Sequence, residues 1–177
     1  MSTRSALLGA ACGLALAAAA ASAAESPNLG RAATAEDIAG WDISIGPDGA
    51  GLPPGSGTPK QGEALYAAKC LACHAEMGAG KPNDQLVGGQ GTLPGDKPAI
   101  KTIGSFWPYA TTVFDYVRRA MPYTESKSLS NDEIYAVAAY LLNLNSVIAD
   151  GDTMDAQTLP KVKMPNRDGF VPFARGK

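Results

Sequence analysis

An all-α fold of a few short helices is what this sequence predicts, and three observations carry that expectation. Residues at helical spacing or with strong helix preference fill 60–73, 111–120 and 130–144. No strand-rich region and no internal repeat is evident. The segments between these stretches are rich in Gly and Pro and read as loops. The length of 177 residues suits one modest domain. A formal net charge of −2 is far from the basic balance of a nucleic-acid binder.

Residues 1–24 read as a secretory signal peptide. Arg4 supplies the positive start, Ala6 to Ala21 the apolar stretch, and Ala21-Ser22-Ala23 the small-residue cleavage signal. With that segment set aside, no apolar run is long enough for a membrane span. The expected destination is the periplasm, and Cys12 would leave with the signal. Residues 25–57 are rich in turn-forming pairs and read as an irregular arm, with one helical turn near Ala35–Trp41. A domain over 58–145 follows. Its first helix, 60–73, is built of strong helix formers. Residues 75–104 form a long loop. In 111–120, Thr112 with Asp115 resembles a capping pair, and Pro122 stops the helix. Residues 130–144 are the clearest helix, with Ser130 and Glu133 as a capping box and Ile134, Val137, Ala138, Leu141 and Leu142 on one face. Residues 146–177 form an extended tail. Its last part, 159–177, carries five basic residues and one acidic one, which fits either a solvated surface or a docking arm. Arm and tail are expected to become ordered mainly on a partner, because both are Pro-rich and short of core residues.

The chemistry sits in Cys70-Leu71-Ala72-Cys73-His74. C-x-x-C-H is the attachment signature of c-type haem. Thiols at i and i+3 share one side of a helical turn, so each can add to a vinyl group of the same haem. The adjacent imidazole then becomes the proximal iron ligand. A zinc site would want four ligands, and only three candidates cluster here. A redox C-x-x-C would want a βαβ context, which is missing.

The chain has a single His, so one haem with two His ligands is excluded. The second axial ligand is sought among Met77, Met121, Met154 and Met164. Met77 is three residues from His74, a reach of about 10 Å, too short to round the macrocycle. Met121, followed by Pro122 at the end of a short helix, is the preferred distal ligand, with Met164-Pro165 as the alternative. His/Met coordination fills both axial positions and favours electron transfer over chemistry at the iron. Arg118 and Arg119 are candidates for pairing with haem propionates.

These residues give the chain a resemblance to class I cytochrome c over roughly 58–145, including Gly62, Tyr66, Tyr140 and Leu141 at the family's helix crossing. The flanks resemble a narrower group. They include Ala39-Gly40-Trp41-Asp42-Ile43, Gly88-Gly89-Gln90-Gly91-Thr92-Leu93, Gly104-Ser105-Phe106-Trp107-Pro108-Tyr109, Arg118-Arg119-Ala120-Met121-Pro122 and Lys163-Met164-Pro165-Asn166-Arg167-Asp168-Gly169-Phe170. That group is the cytochrome subunit of the bacterial Sox sulfane dehydrogenase, related to the cytochrome subunits of sulfite dehydrogenases. The resemblance implies one covalent haem c, anchored by Cys70 and Cys73 and ligated by His74 and Met121. It implies a molybdenum-cofactor partner that oxidises sulfane sulfur in thiosulfate oxidation, and a soluble cytochrome c as acceptor. The chain would be an electron-transfer subunit, not catalytic alone. A sulfite dehydrogenase subunit and an independent electron shuttle are the alternatives. One departure stands out. Many class I relatives have Pro two residues before the Leu of Leu-x-Gly-Gly, and its carbonyl often receives the proximal imidazole N–H; here that position is Asp84.

Overall fold

The computed structural model describes residues 29–93 and 98–171. The proposed signal segment and Cys12 lie outside the described residues. The chain divides into two units after Asp42. In the first, helix α1 (Ala35–Ala39) opens on a capping box in which Thr34 and Asp37 satisfy each other's backbone N–H groups. Arg31 also pairs with Asp37 at 2.6 Å. That ion pair, with the Thr34 N–H and hydroxyl, holds the Asp37 carboxyl well below the usual carboxylate range.

The second unit carries α2 (Pro59–Lys69), α3 (Leu71–His74), α4 (Ala110–Ala120) and α5 (Asn131–Leu144). α2 starts on a Thr58/Gln61 capping box with Pro59 in its first turn, a position where the missing proline N–H costs nothing. α5 starts on the expected Ser130/Glu133 box. The capping pair expected in α4 is not formed. That helix begins one residue earlier, at Ala110, with Tyr109 as its unassisted N-cap. Thr112 is therefore inside the first turn, and Asp115 pairs with Arg119 one turn on at 2.9 Å.

The core forms where α2 and α4 meet α5. Phe114 and Tyr135 are fully buried against each other, with ring centroids 4.4 Å apart. α5 is apolar on most of its circumference because partners cover it on several sides. At its crossing with α2, a Cβ on Gly62 would overlap the Ala136 carbonyl. A Cβ on Gly57 would overlap the Ala136 backbone from another direction. Two glycines thus let α5 be approached at backbone distance, and Tyr66 packs on Tyr140 beside the crossing at 5.4 Å.

Two features depart from the expected irregular flanks. A two-residue antiparallel ladder pairs β1 (Ser56–Gly57) with β2 (Met154–Asp155), Ser56 opposite Asp155 and Gly57 opposite Met154. The tail also contributes to the core. Met154, Leu159 and Met164 are buried, Leu159 completely. Farther along, the Asn166 side chain donates to the Phe106 carbonyl at 2.7 Å, and the Arg167 guanidinium lies 4.4 Å from the centre of the Tyr109 ring. The expectation that the tail is short of core residues therefore fails: its apolar residues are too widely spaced to show a period, yet three of them reach the interior. The arm is held likewise, Tyr135 donating to the Pro53 carbonyl at 2.9 Å and Asn131 to that of Pro54.

Asn145, immediately after α5, is buried and fully used. Its side-chain oxygen accepts from Gly88 N–H at 3.0 Å, and its amide donates to the carbonyls of Leu86 and Leu141 at 3.2 and 2.8 Å. Its own carbonyl accepts from Gln90. The loop around 86–90 is thereby moored to the end of α5. Among the described residues, no helix is long and apolar enough to cross a membrane.

Two outcomes follow from these contacts. Leu159→Ala should lower the stability of the isolated holo-protein by about 2–5 kcal/mol in denaturant titration; a tail ordered only by a partner would give no change. Asn145→Ala should cost about 1–3 kcal/mol, since it leaves the part-buried Gly88 N–H without its acceptor.

Candidate haem site

The attachment motif is positioned by the end of α2. Cys70 closes that helix, its N–H donating to Tyr66 O, and also opens α3. The Cys70 carbonyl accepts from the N–H groups of Cys73 and His74 at 3.1 and 2.9 Å. The motif is thus one tight turn. The following loop returns to satisfy the turn's own carbonyls: Asn83 N–H donates to Cys73 O and Gly80 N–H to His74 O, each at 2.9 Å. Cys70 is half-buried and Cys73 exposed, and they are not joined to each other. Burial pushes the Cys70 thiol up to about 11, and the neighbouring Cys73 adds to the shift. The unmodified group is therefore a neutral thiol at neutral pH, and conversion to a thioether would abolish its acidity.

His74 Nδ1 lies 2.9 Å from the Asp84 carbonyl. A carbonyl only accepts, so Nδ1 carries the proton and Nε2 keeps its lone pair. Asp84 therefore takes the role for which many relatives use a proline. The backbone carbonyl does the work, and that has no side-chain requirement. The Asp84 segment is itself held in place, since Leu86 N–H donates to Gly78 O at 2.9 Å and Leu86 O accepts from Ile103 N–H and Asn145.

Cys70, Cys73, His74 and Met121 all line one cleft of about 590 Å³, a size within the range of small-molecule and cofactor sites. Its apolar walls include Ile103, Trp107, Val113, Val117 and Leu141. The remaining candidate methionines do not line it. Met154 and Met164 are buried in the core, and Met77 is 65% exposed. Met121 ends α4, with its N–H donating to Val117 O. The donor set, the unpartnered Nε2 and the apolar walls fit a covalently attached haem. Among the described residues, no three His, Cys, Asp or Glu side chains gather as a metal-ion site.

Arg118 and Arg119 are not in the cleft. Arg119 pairs with Asp115 and reaches Ser44, and Arg118 reaches the Ile43 carbonyl at 3.5 Å. Among the described residues, the cations that line the cleft are Lys69 and Lys101. Lys101 stands 5.1 Å from the centre of the Phe106 ring. The helical position of the arginines, just before Met121, gave no sign that they face the arm. Asn145 was also not legible as part of the site's support. Its only sequence signal is a polar residue at the end of an apolar helix, which reads equally as a helix stop.

Residues 57–141 match the family described as cytochrome c oxidase, cbb3-type, subunit III. Over 83 residues the chain is 31% identical to a thiosulfate dehydrogenase of Psychrobacter arcticus. That alignment takes in 47% of this chain and 25% of the relative, so the chain spans about a quarter of the length of that protein. The fold also matches a chain of the crystal structure of the sulfane dehydrogenase SoxCD from Paracoccus pantotrophus. The TM-score is 0.76 and the identity 42%, over 85% of this chain and 74% of that one. With a C-x-x-C-H turn at the mouth of an apolar cleft and this likeness along most of its length, the chain belongs to the c-type cytochromes of the Sox type, which carry covalently bound haem c.

Proposed function

We propose that the chain is the monohaem electron-transfer subunit of a periplasmic, molybdenum-dependent sulfane sulfur dehydrogenase. The observation that carries this reading is the convergence of Cys70, Cys73, His74 and Met121 on one cleft, with His74 Nδ1 committed to a backbone carbonyl. Cys70 and Cys73 would hold the haem by thioether bonds, and His74 Nε2 and the Met121 sulfur would ligate its iron. When bound, the haem stores one electron at a time. The protein's part is to fix both ligands, exclude water with apolar walls, and place cationic Lys101 where it can neutralise propionate charge. With His74 and Met121 both committed to the iron, the haem would serve electron transfer, and oxidation of sulfur would belong to the partner.

The likeness to SoxCD supports a molybdenum subunit as electron donor. A soluble cytochrome c is the proposed acceptor. A second reading, a cytochrome domain serving thiosulfate itself, draws on the 83-residue match to a thiosulfate dehydrogenase.

A tagged chain purified from its host should bring down a molybdenum-containing protein in stoichiometric amount, and the complex should reduce cytochrome c with carrier-bound sulfane sulfur. A chain that consistently purifies without molybdenum would sink the partner claim. At the iron, Met121→Ala should remove the far-red absorption band of methionine-ligated ferric haem, whereas Met164→Leu should keep it. Retention of the band in Met121→Ala would refute the distal assignment.

A further inference from the structure

Between His74 and Lys81 the backbone passes through five residues of positive φ: Ala75, Met77, Gly78, Gly80 and Lys81. Ala75 is the most unusual. Its φ of 58° and ψ of 176° lie in a region that is essentially reserved for glycine. A residue with a Cβ stays there only where its surroundings over-determine it. Here three hydrogen bonds do so. Ala75 N–H donates to Leu71 O at 2.9 Å, and Ala75 O accepts from Gly78 N–H at 3.3 Å and from the Tyr66 hydroxyl at 2.8 Å. The Tyr66 bond is the shortest of the three and the one made by a side chain. Tyr66 is itself enclosed: it is 2% exposed, on α2, and packed at a tilt on Tyr140 of α5 beside the Gly62 crossing.

We infer that Tyr66 is a positioning residue for His74: its hydroxyl pins the strained Ala75 carbonyl and so fixes the peptide that follows the imidazole-bearing residue. The inference rests on the reading of His74 as the proximal ligand. His74 is then held at two points, by Nδ1 at the Asp84 carbonyl and by its main chain through Ala75. Loss of the Tyr66 bond lets the His74–Ala75 peptide relax toward an ordinary conformation and lengthens the bond to Asp84. An imidazole with a weaker N–H···O=C partner is a less basic ligand. It supports ferric iron less well, so the reduction potential rises.

The test uses the holo-protein with Tyr66→Phe, Ala75→Gly, their double variant and Ala75→Val, each characterised by redox titration and thermal melting. Tyr66→Phe should raise the potential by about tenfold in the reduction equilibrium constant, the low end of what an outer partner of a metal ligand is worth; that is about 59 mV for one electron. Glycine at 75 removes the strain, so the double variant should recover at least half of the shift. Ala75→Val increases the strain with Tyr66 in place and should move the potential in the same direction as Tyr66→Phe, which keeps the test open if that variant fails to take up haem. A lowered melting temperature with an unchanged potential in Tyr66→Phe or Ala75→Val would overturn the inference, as would a shift in Tyr66→Phe that glycine leaves untouched. A wild-type protein without the spectrum of His-ligated low-spin haem would instead overturn the ligand reading beneath it, and the inference with it.

Discussion

The close approach of α2 and α5 at Gly62 and Ala136 is the constraint on which the rest of the structure depends. α2 ends in the attachment turn, and α5 ends in Asn145. The distance between those two ends is set at the crossing, where the absence of one Cβ lets the helices meet at their backbones. Tyr66 lies one turn beyond Gly62 on the same face, so the contact that orders the helices also orders the aromatic pair next to the cleft. Gly57 applies the same principle to the arm, which reaches α5 at the same residue, Ala136. A single small residue on α5 thus receives two segments.

Among its described residues the loop from 75 to 104 holds only the short 3-10 helix Glu76–Gly78 as regular structure, yet it supplies the carbonyl that holds the imidazole N–H. Beside the burial of Ile103, its order comes from hydrogen bonds. Asn145 holds it at 86–88, the Thr102 hydroxyl donates to Gly88 O, and the Ser105 hydroxyl donates to Ile100 O at 2.6 Å. Such a network suits a site whose apolar wall must be given over to a large flat cofactor. The side chains that would otherwise fill the middle of a small domain instead line the cleft, and polar groups behind them supply the rigidity.

The three long helices, the Ser130/Glu133 box and the cofactor chemistry were legible because each is local in sequence. Helical spacing, a cap and its partner, and C-x-x-C-H all lie within one or a few turns. What escaped notice is non-local or resides in the backbone. The Asp84 carbonyl carries no side-chain signature, so a sequence that lacks the usual proline leaves the acceptor unnamed. Asn145 bonds to residues about 60 positions away, where no pattern connects them. Leu159 and Met164 lie in Pro-rich, basic sequence, and their burial depends on a surface that the rest of the chain provides. Arg118 and Arg119 were placed beside the ligand by sequence and are turned toward the arm by the helix.

The ladder between β1 and β2 is only two residues long on each side, but its partners are roughly 100 residues apart, and loop-closure entropy weighs against a contact of that span until the intervening chain is compact. Its contribution to contact order is correspondingly large. The assembly sequence that this favours begins with local helices and their crossing, and ends with the two flanks meeting across the finished body. The ladder then acts as a clasp, in which each flank supplies the hydrogen-bond partners of the other.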